Sequence, residues 1–166
     1  MIKKLHHNAY RCRDSEETRK FYEDFLELRL AGTLEIEETK SGRATHALHT
    51  FYELDDSSYL AFFEVPDTAF QFKPQHDYDL HIALEVERGV LEKKLAEGKA
   101  RGIESRGISD HGFIHSIYFR DPNGYVIELT AKMPHHAQEM NPATNGARTK
   151  LDKWQAAKRQ HATAQS

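Results

Sequence analysis

Two stretches of this chain start alike and continue through the same order of elements. His7-x-Ala9 opens one and His81-x-Ala83 the other, about 74 residues apart. Residues 4–12 read as a strand. Asp14 or Ser15 then caps a helix whose apolar stripe is Phe21, Tyr22, Phe25 and Leu26. Strand-like runs follow at 33–38, 44–54 and 58–65, the last two separated by the turn Asp55-Asp56-Ser57-Ser58. Residues 66–78 hold Pro66 and Pro74 and show no clear period, so they read as a linker. The order then begins again: a strand at 79–87, a helix at 88–101 burying Val90, Leu91 and Leu95, and strands at 103–107, 113–120 and 124–131. Gly102 stands where a helix C-cap belongs. Both halves therefore predict strand–helix–strand–strand–strand, an α+β chain built from two similar modules.

The densest chemical signal lies at 115–130, His-Ser-Ile-Tyr-Phe-Arg-Asp-Pro-Asn-Gly-Tyr-Val-Ile-Glu-Leu-Thr. Pro122 pre-sets φ for a tight turn and Gly124 can take positive φ. In the strand that follows, alternation puts Val126, Glu128 and Thr130 on one face and Ile127 and Leu129 on the other. A lone carboxylate among apolar residues is costly to bury unless it is paired or binds a metal. Glu128 is therefore a functional candidate.

Composition narrows the function classes. A net charge of −3 gives no nucleic-acid footprint. No apolar run approaches the roughly 18 residues of a membrane span. The start, Met-Ile-Lys-Lys-Leu-His-His, has no apolar core of a signal peptide. The single cysteine, Cys12, forms no internal disulfide and suits a reducing compartment, so a cytoplasmic location is expected. Residues 132–166 differ from the rest: six Lys/Arg against two Asp/Glu, with Pro134, Pro142 and Gly146 before a helix carrying Leu151 and Trp154 on one side. That helix is expected to dock on the body through Trp154.

Three segments carry a resemblance: Leu-His-His-Asn-Ala-Tyr-Arg-Cys-Arg-Asp with Phe-Tyr-Glu-Asp-Phe-Leu, then Asp-Leu-His-Ile-Ala-Leu-Glu-Val, then Ile-Tyr-Phe-Arg-Asp-Pro-Asn-Gly-Tyr-Val-Ile-Glu-Leu. Over about residues 4–131 the chain resembles the vicinal oxygen chelate proteins, which include glyoxalases, bleomycin-resistance proteins, fosfomycin-resistance thiol transferases and extradiol dioxygenases. The resemblance implies two βαβββ modules, about 4–65 and 79–131 within a domain 1–131, whose sheets curve into a cup around a metal, followed by a partly helical extension at 132–166. It also implies a homodimer.

The family's metal ligands fall on His7, His81 and Glu128. His6 is adjacent, but alternation lets only one of the pair face inward, and the spacing to Asp14 favours His7. Two histidines and one carboxylate suit Fe(II), with Mn, Ni or Zn as alternatives. Tyr118 and His111 match the catalytic tyrosine and histidine of extradiol enzymes. Strand alignment puts Phe62 where glyoxalases carry a fourth ligand, with Glu64 two residues on as a shifted substitute. The acid–base histidine of extradiol enzymes is replaced by Ser58, leaving His46 or His49 on the neighbouring strand as stand-ins. Arg11 shares strand parity with His7, and Arg120 with Tyr118, so both are open to an anionic substrate.

The expected function is extradiol-type oxygenation of a small aromatic vicinal diol. The alternatives are a glyoxalase-type lyase or isomerase, a thiol transferase of the fosfomycin-resistance type, and a non-catalytic binding protein.

Overall fold

The computed structural model describes residues 1–164; the last two residues of the tail lie outside them. The first module runs β1 (Tyr10–Arg11), α1 (Ser15–Arg19) with a π-helical continuation (Lys20–Phe25), β2 (Arg29–Glu38), β3 (Ala44–Glu53) and β4 (Tyr59–Glu64). The second runs β5 (Ile82–Glu85), α2 (Arg88–Ala100), β6 (Ser105–Asp110), β7 (Ile114–Arg120) and β8 (Val126–Lys132). Two helices complete the chain, α3 (His136–Glu139) and α4 (Ala147–Ala164).

The repeat survives as topology. One sheet has the order β1-β4-β3-β2 and the other β5-β8-β7-β6, so corresponding strands take corresponding places. In each, the first strand pairs parallel to the last and the other pairs are antiparallel. The opening strand is shorter than the sequence suggests. Only Tyr10 and Arg11 form a ladder, and His7 joins by a single parallel bridge to Tyr59. The second-module strand likewise begins at Ile82, one residue past His81.

Local chemistry explains the elements. Asp14 caps α1 by accepting from Glu17 N at 2.7 Å. The Asp121–Gly124 turn closes as predicted: Gly124 N donates to Asp121 O at 3.0 Å, and Gly124 sits at φ +104°. Phe21, Tyr22 and Phe25 are buried. They belong to one core with Tyr52, Leu60 and Phe62 from the first sheet and Ile117, Phe119, Ile127 and Leu129 from the second.

That shared core decides where the site is. The helix-bearing faces of the two sheets meet: Phe25 packs edge-on against Phe119 at 5.0 Å between ring centres, and Tyr22 donates to Asp121 at 2.9 Å. Asn123 ties the same seam, accepting from Arg13 N at 2.8 Å and donating to Thr18 Oγ1 at 3.2 Å. By strand alternation, the opposite faces of both sheets point away from this core. The tail departs from expectation. Helix α4 forms, but Trp154 is 65% exposed and Leu151 half exposed, so neither anchors the helix to the body. No helix among the described residues is long and apolar enough to cross a membrane.

Candidate functional site

On the second sheet, cross-strand register puts Arg106, Tyr118 and Glu128 in one row: Arg106 opposite Tyr118, and Tyr118 opposite Glu128. Ala83 continues the row on β5, and His81 precedes it by two residues on the same face. Glu128 is buried, with 5% of its surface exposed. Its carboxylate meets His81 Nε2 at 3.4 Å and accepts from Tyr118 Oη at 3.4 Å. The buried carboxylate flagged in the sequence is thus partnered on the face away from the core.

His81 is oriented from behind. Its Nδ1 lies 2.8 Å from the backbone carbonyl of Asp77. A carbonyl only accepts, so Nδ1 carries a proton, and Nε2 is the ring nitrogen turned toward Glu128. A carbonyl behind the outer ring nitrogen is a common way to fix a metal-binding imidazole. Tyr118 Oη also contacts His111 Nε2 at 2.8 Å. Burial, followed by the negative charge of Glu128, raises the Tyr118 phenol above its ordinary range. These groups open onto a cleft of ≈ 460 Å³ floored by His81, Tyr118 and Glu128 and walled by His111 and Phe113.

His7 lies elsewhere. It stands on the outward face of the first sheet, its ring 6.0 Å from that of His49 and 5.7 Å from that of Phe51. His6 Nδ1 contacts His7 Nδ1 at 2.8 Å. Among the described residues, no three His, Cys, Asp or Glu side chains of one chain group to hold a metal. The structure brings His81, Glu128, Tyr118 and His111 together and keeps His7 apart, because the shared core separates the two outward faces.

Register also corrects the alignment of β4. Tyr10 pairs with Phe62 as Leu84 pairs with Leu129, so the counterpart of Glu128 is Ala61, not Phe62. Phe62 turns into the core, packed on Tyr22 and Tyr52. Glu64 is on the helix-bearing face as well. It accepts from Ser15 N at 2.8 Å at the start of α1, a structural task rather than a ligand's.

The stand-in histidines separate cleanly. His46 is exposed and faces Glu35 at 3.5 Å. His49 is buried on the outward face beside His7, stacked on Phe63 at 3.7 Å. Its Nδ1 lies 3.0 Å from Phe62 O and donates to it, which leaves Nε2 as the other ring nitrogen. Ser58 is spent on Asp56, which accepts from its hydroxyl and its amide. Arg11 donates to Thr68 O at 2.9 Å and so braces the linker. Sequence reading missed Asp77 and Arg106. Asp77 lies in the linker, where no period singles it out, and Arg106 depends on a register shift between Gly107 and Ser109.

The fold has known counterparts. The family model described as the Glyoxalase/Bleomycin resistance protein/Dioxygenase superfamily matches residues 4–129. Among solved structures, the fosfomycin resistance protein FosX from Listeria monocytogenes, complexed with Mn(II) and sulfate, is 18% identical at a TM-score of 0.61. That match covers 83% of this chain and 99% of that one. A glyoxylase/bleomycin resistance protein/dioxygenase domain from Frankia sp. EAN1pec is 18% identical at 0.61, covering 80% and 100%. A glyoxalase/dioxygenase from Nostoc punctiforme is 20% identical at 0.60, covering 79% and 92%. No curated protein matches the chain. With the family model spanning both modules and both sheets repeating one strand order, this chain belongs to the glyoxalase/bleomycin resistance/dioxygenase superfamily.

Proposed function

We propose that the protein is a metal-dependent vicinal oxygen chelate enzyme whose ligands are His81 and Glu128 of one copy and His7 of a second copy. The observation that carries this reading is the pair itself: His81 Nε2 directed at the Glu128 carboxylate at 3.4 Å, with Nδ1 held by Asp77 O. The donor set fits a divalent metal, since two imidazoles and a carboxylate are an ordinary N/O ligand group with open positions. A two-fold dimer supports the set, because an isologous contact brings the outward face of one sheet against the complementary face of its partner, twice.

Bound there, a divalent metal would act as a Lewis acid on two neighbouring substrate oxygens and, as Fe(II), would support reaction with dioxygen. The protein's own groups do the rest. Tyr118 Oη holds a substrate oxygen beside Glu128, and His111 fixes the phenol's direction. His49 would arrive with His7, and its Nε2 accepts the proton released from a substrate hydroxyl. Phe51 and Phe63 line that side with apolar surface that suits an aromatic ring. The reaction best matched is extradiol-type cleavage of a small aromatic vicinal diol, with both oxygen atoms of O₂ entering the product.

A second reading is transfer of a thiol to a small anionic substrate. It is favoured by Arg106, which borders the cleft, by Arg120, which shares a smaller hollow with Arg106 and Tyr118, and by the Mn(II) in the Listeria FosX neighbour. The test is oxygen uptake by Fe(II)-loaded protein with a catechol panel. Stoichiometric O₂ consumption supports the first reading. Turnover that needs a thiol and proceeds without oxygen replaces it with the second.

A further inference from the structure

Arg106 reaches the site through a defect in its strand. Near the β6–β7 turn, Asp110 faces His115 and Ser109 faces Ser116. Continued unbroken, that register would set Arg106 opposite Phe119, on the core side. The register instead shifts between Gly107 and Ser109, and Arg106 faces Tyr118. A bulge of this kind turns every later side chain to the other face of the sheet. Gly107 makes it feasible: it sits at φ +124°, and a Cβ there would lie 2.8 Å from Ser116 O. The outcome is an arginine in the row that holds Tyr118 and Glu128.

The guanidinium lies 4.5 Å from the centre of the Tyr118 ring and donates to Asp77 Oδ2 at 3.1 Å. Its side chain is 62% exposed toward the cleft. Arg120, by contrast, is engaged on three sides, by Glu104 at 3.2 Å, Gly124 O at 2.9 Å and Asp77 at 3.6 Å. Arg106 has five N–H donors, and among the described residues the carboxylate it holds belongs to the linker rather than to the sheet. Asp77 therefore occupies a seat that a planar carboxylate fits, stacked against an aromatic ring at the edge of the cleft.

We infer, building on the metal-site reading above, that Arg106 is the substrate's anion anchor and that the substrate carries a carboxylate, which takes the place of the Asp77 side chain. The Asp77 backbone carbonyl keeps its hold on His81 throughout. Arg106 and Glu128 stand two strands apart, about 10 Å between backbones. The carboxylate therefore sits at the far end of the molecule from the two chelating oxygens. This is a specificity role: the diol end is read by the metal ligands and Tyr118, and the acid end by Arg106.

The test is isothermal titration of anaerobic, Fe(II)-loaded protein with catechol and with 3,4-dihydroxybenzoate, which differ by that carboxylate. The expected result is tighter binding of 3,4-dihydroxybenzoate. Arg106→Gln should weaken it about tenfold while leaving catechol unchanged, the scale of one charge-assisted pair. Asp77→Ala retains the backbone carbonyl and removes the competitor, so it should strengthen 3,4-dihydroxybenzoate binding. Equal effects of Arg106→Gln on both probes, or none on either, would overturn the anchor while leaving the metal site standing. Tighter, Arg106-dependent binding of 3,4-dihydroxyphenylphosphonate would overturn the carboxylate assignment. Failure of both catechols to bind would overturn the metal-site reading and the anchor with it.

Discussion

At the scale of the residue, the site is a matter of which lone pairs are left over. Asp77 O accepts a hydrogen bond from His81 Nδ1 and Phe62 O accepts one from His49 Nδ1, so each imidazole turns Nε2 outward. Tyr118 sits between Glu128 and His111, close to both and ligand to neither. Tyr118→Phe should therefore lower turnover by 10²-fold or more, the usual range for a proton-handling group, with metal content by elemental analysis unchanged. A loss of metal in that variant would make Tyr118 part of the ligand shell instead. Glu64 gives the complementary case. Glu64→Gln should leave metal content and turnover intact and lower stability by less than about 1 kcal/mol, since its carboxylate only caps the start of α1. The sequence made Glu128 legible because a single carboxylate interrupted an apolar strand. It misjudged Glu64 because parity was counted from Phe62, and the observed register is one residue away.

At the scale of the element, the Asp121–Gly124 turn does more than join β7 to β8. It inserts its side chains between the modules. Asn123 satisfies Arg13 N and Thr18 Oγ1, and Asp121 accepts from Tyr22, Asn123 and Tyr125. Asn123→Ala leaves the part-buried Arg13 N–H without its acceptor and removes the buried Asn123 bonds to Thr18 and Asp121, and should cost about 1–3 kcal/mol in urea unfolding. Burial, the largest cause, raises the Asp121 carboxyl above its ordinary 3.8. The folded state then binds this proton more tightly than the unfolded chain does. Its contribution to stability is full below pH 3.8 and declines as pH rises through the raised folded value. Wild-type stability relative to Asp121→Asn should accordingly fall as pH increases across that window; a rise would contradict the assignment. The turn and most strands were readable from Pro, Gly and alternation. The bulge at Gly107–Ser109 was not, because nothing in a six-residue strand announces a slip in register, and with it Arg106 stayed hidden.

At the scale of the molecule, the repeat predicts two like modules but not how they meet. Apolar stripes on α1 and α2 say that each sheet has a covered face; they do not say that both covered faces share one core. Because they do, the faces bearing His7 and His81 diverge, and the cup expected around a metal does not close within one chain. The tail was half legible. Its helix forms, yet Trp154 stays exposed, since a lone aromatic in a basic helix does not specify a surface to cover. The central claim is that two copies complete the metal site, and mixed variants test it most directly. His7→Ala and His81→Ala should each bind no metal alone. After subunit exchange, half the dimers are mixed and each mixed dimer rebuilds one of its two sites, giving about one metal for every four chains. Full metal binding by either variant alone, or none after exchange between dimers, would contradict the shared site.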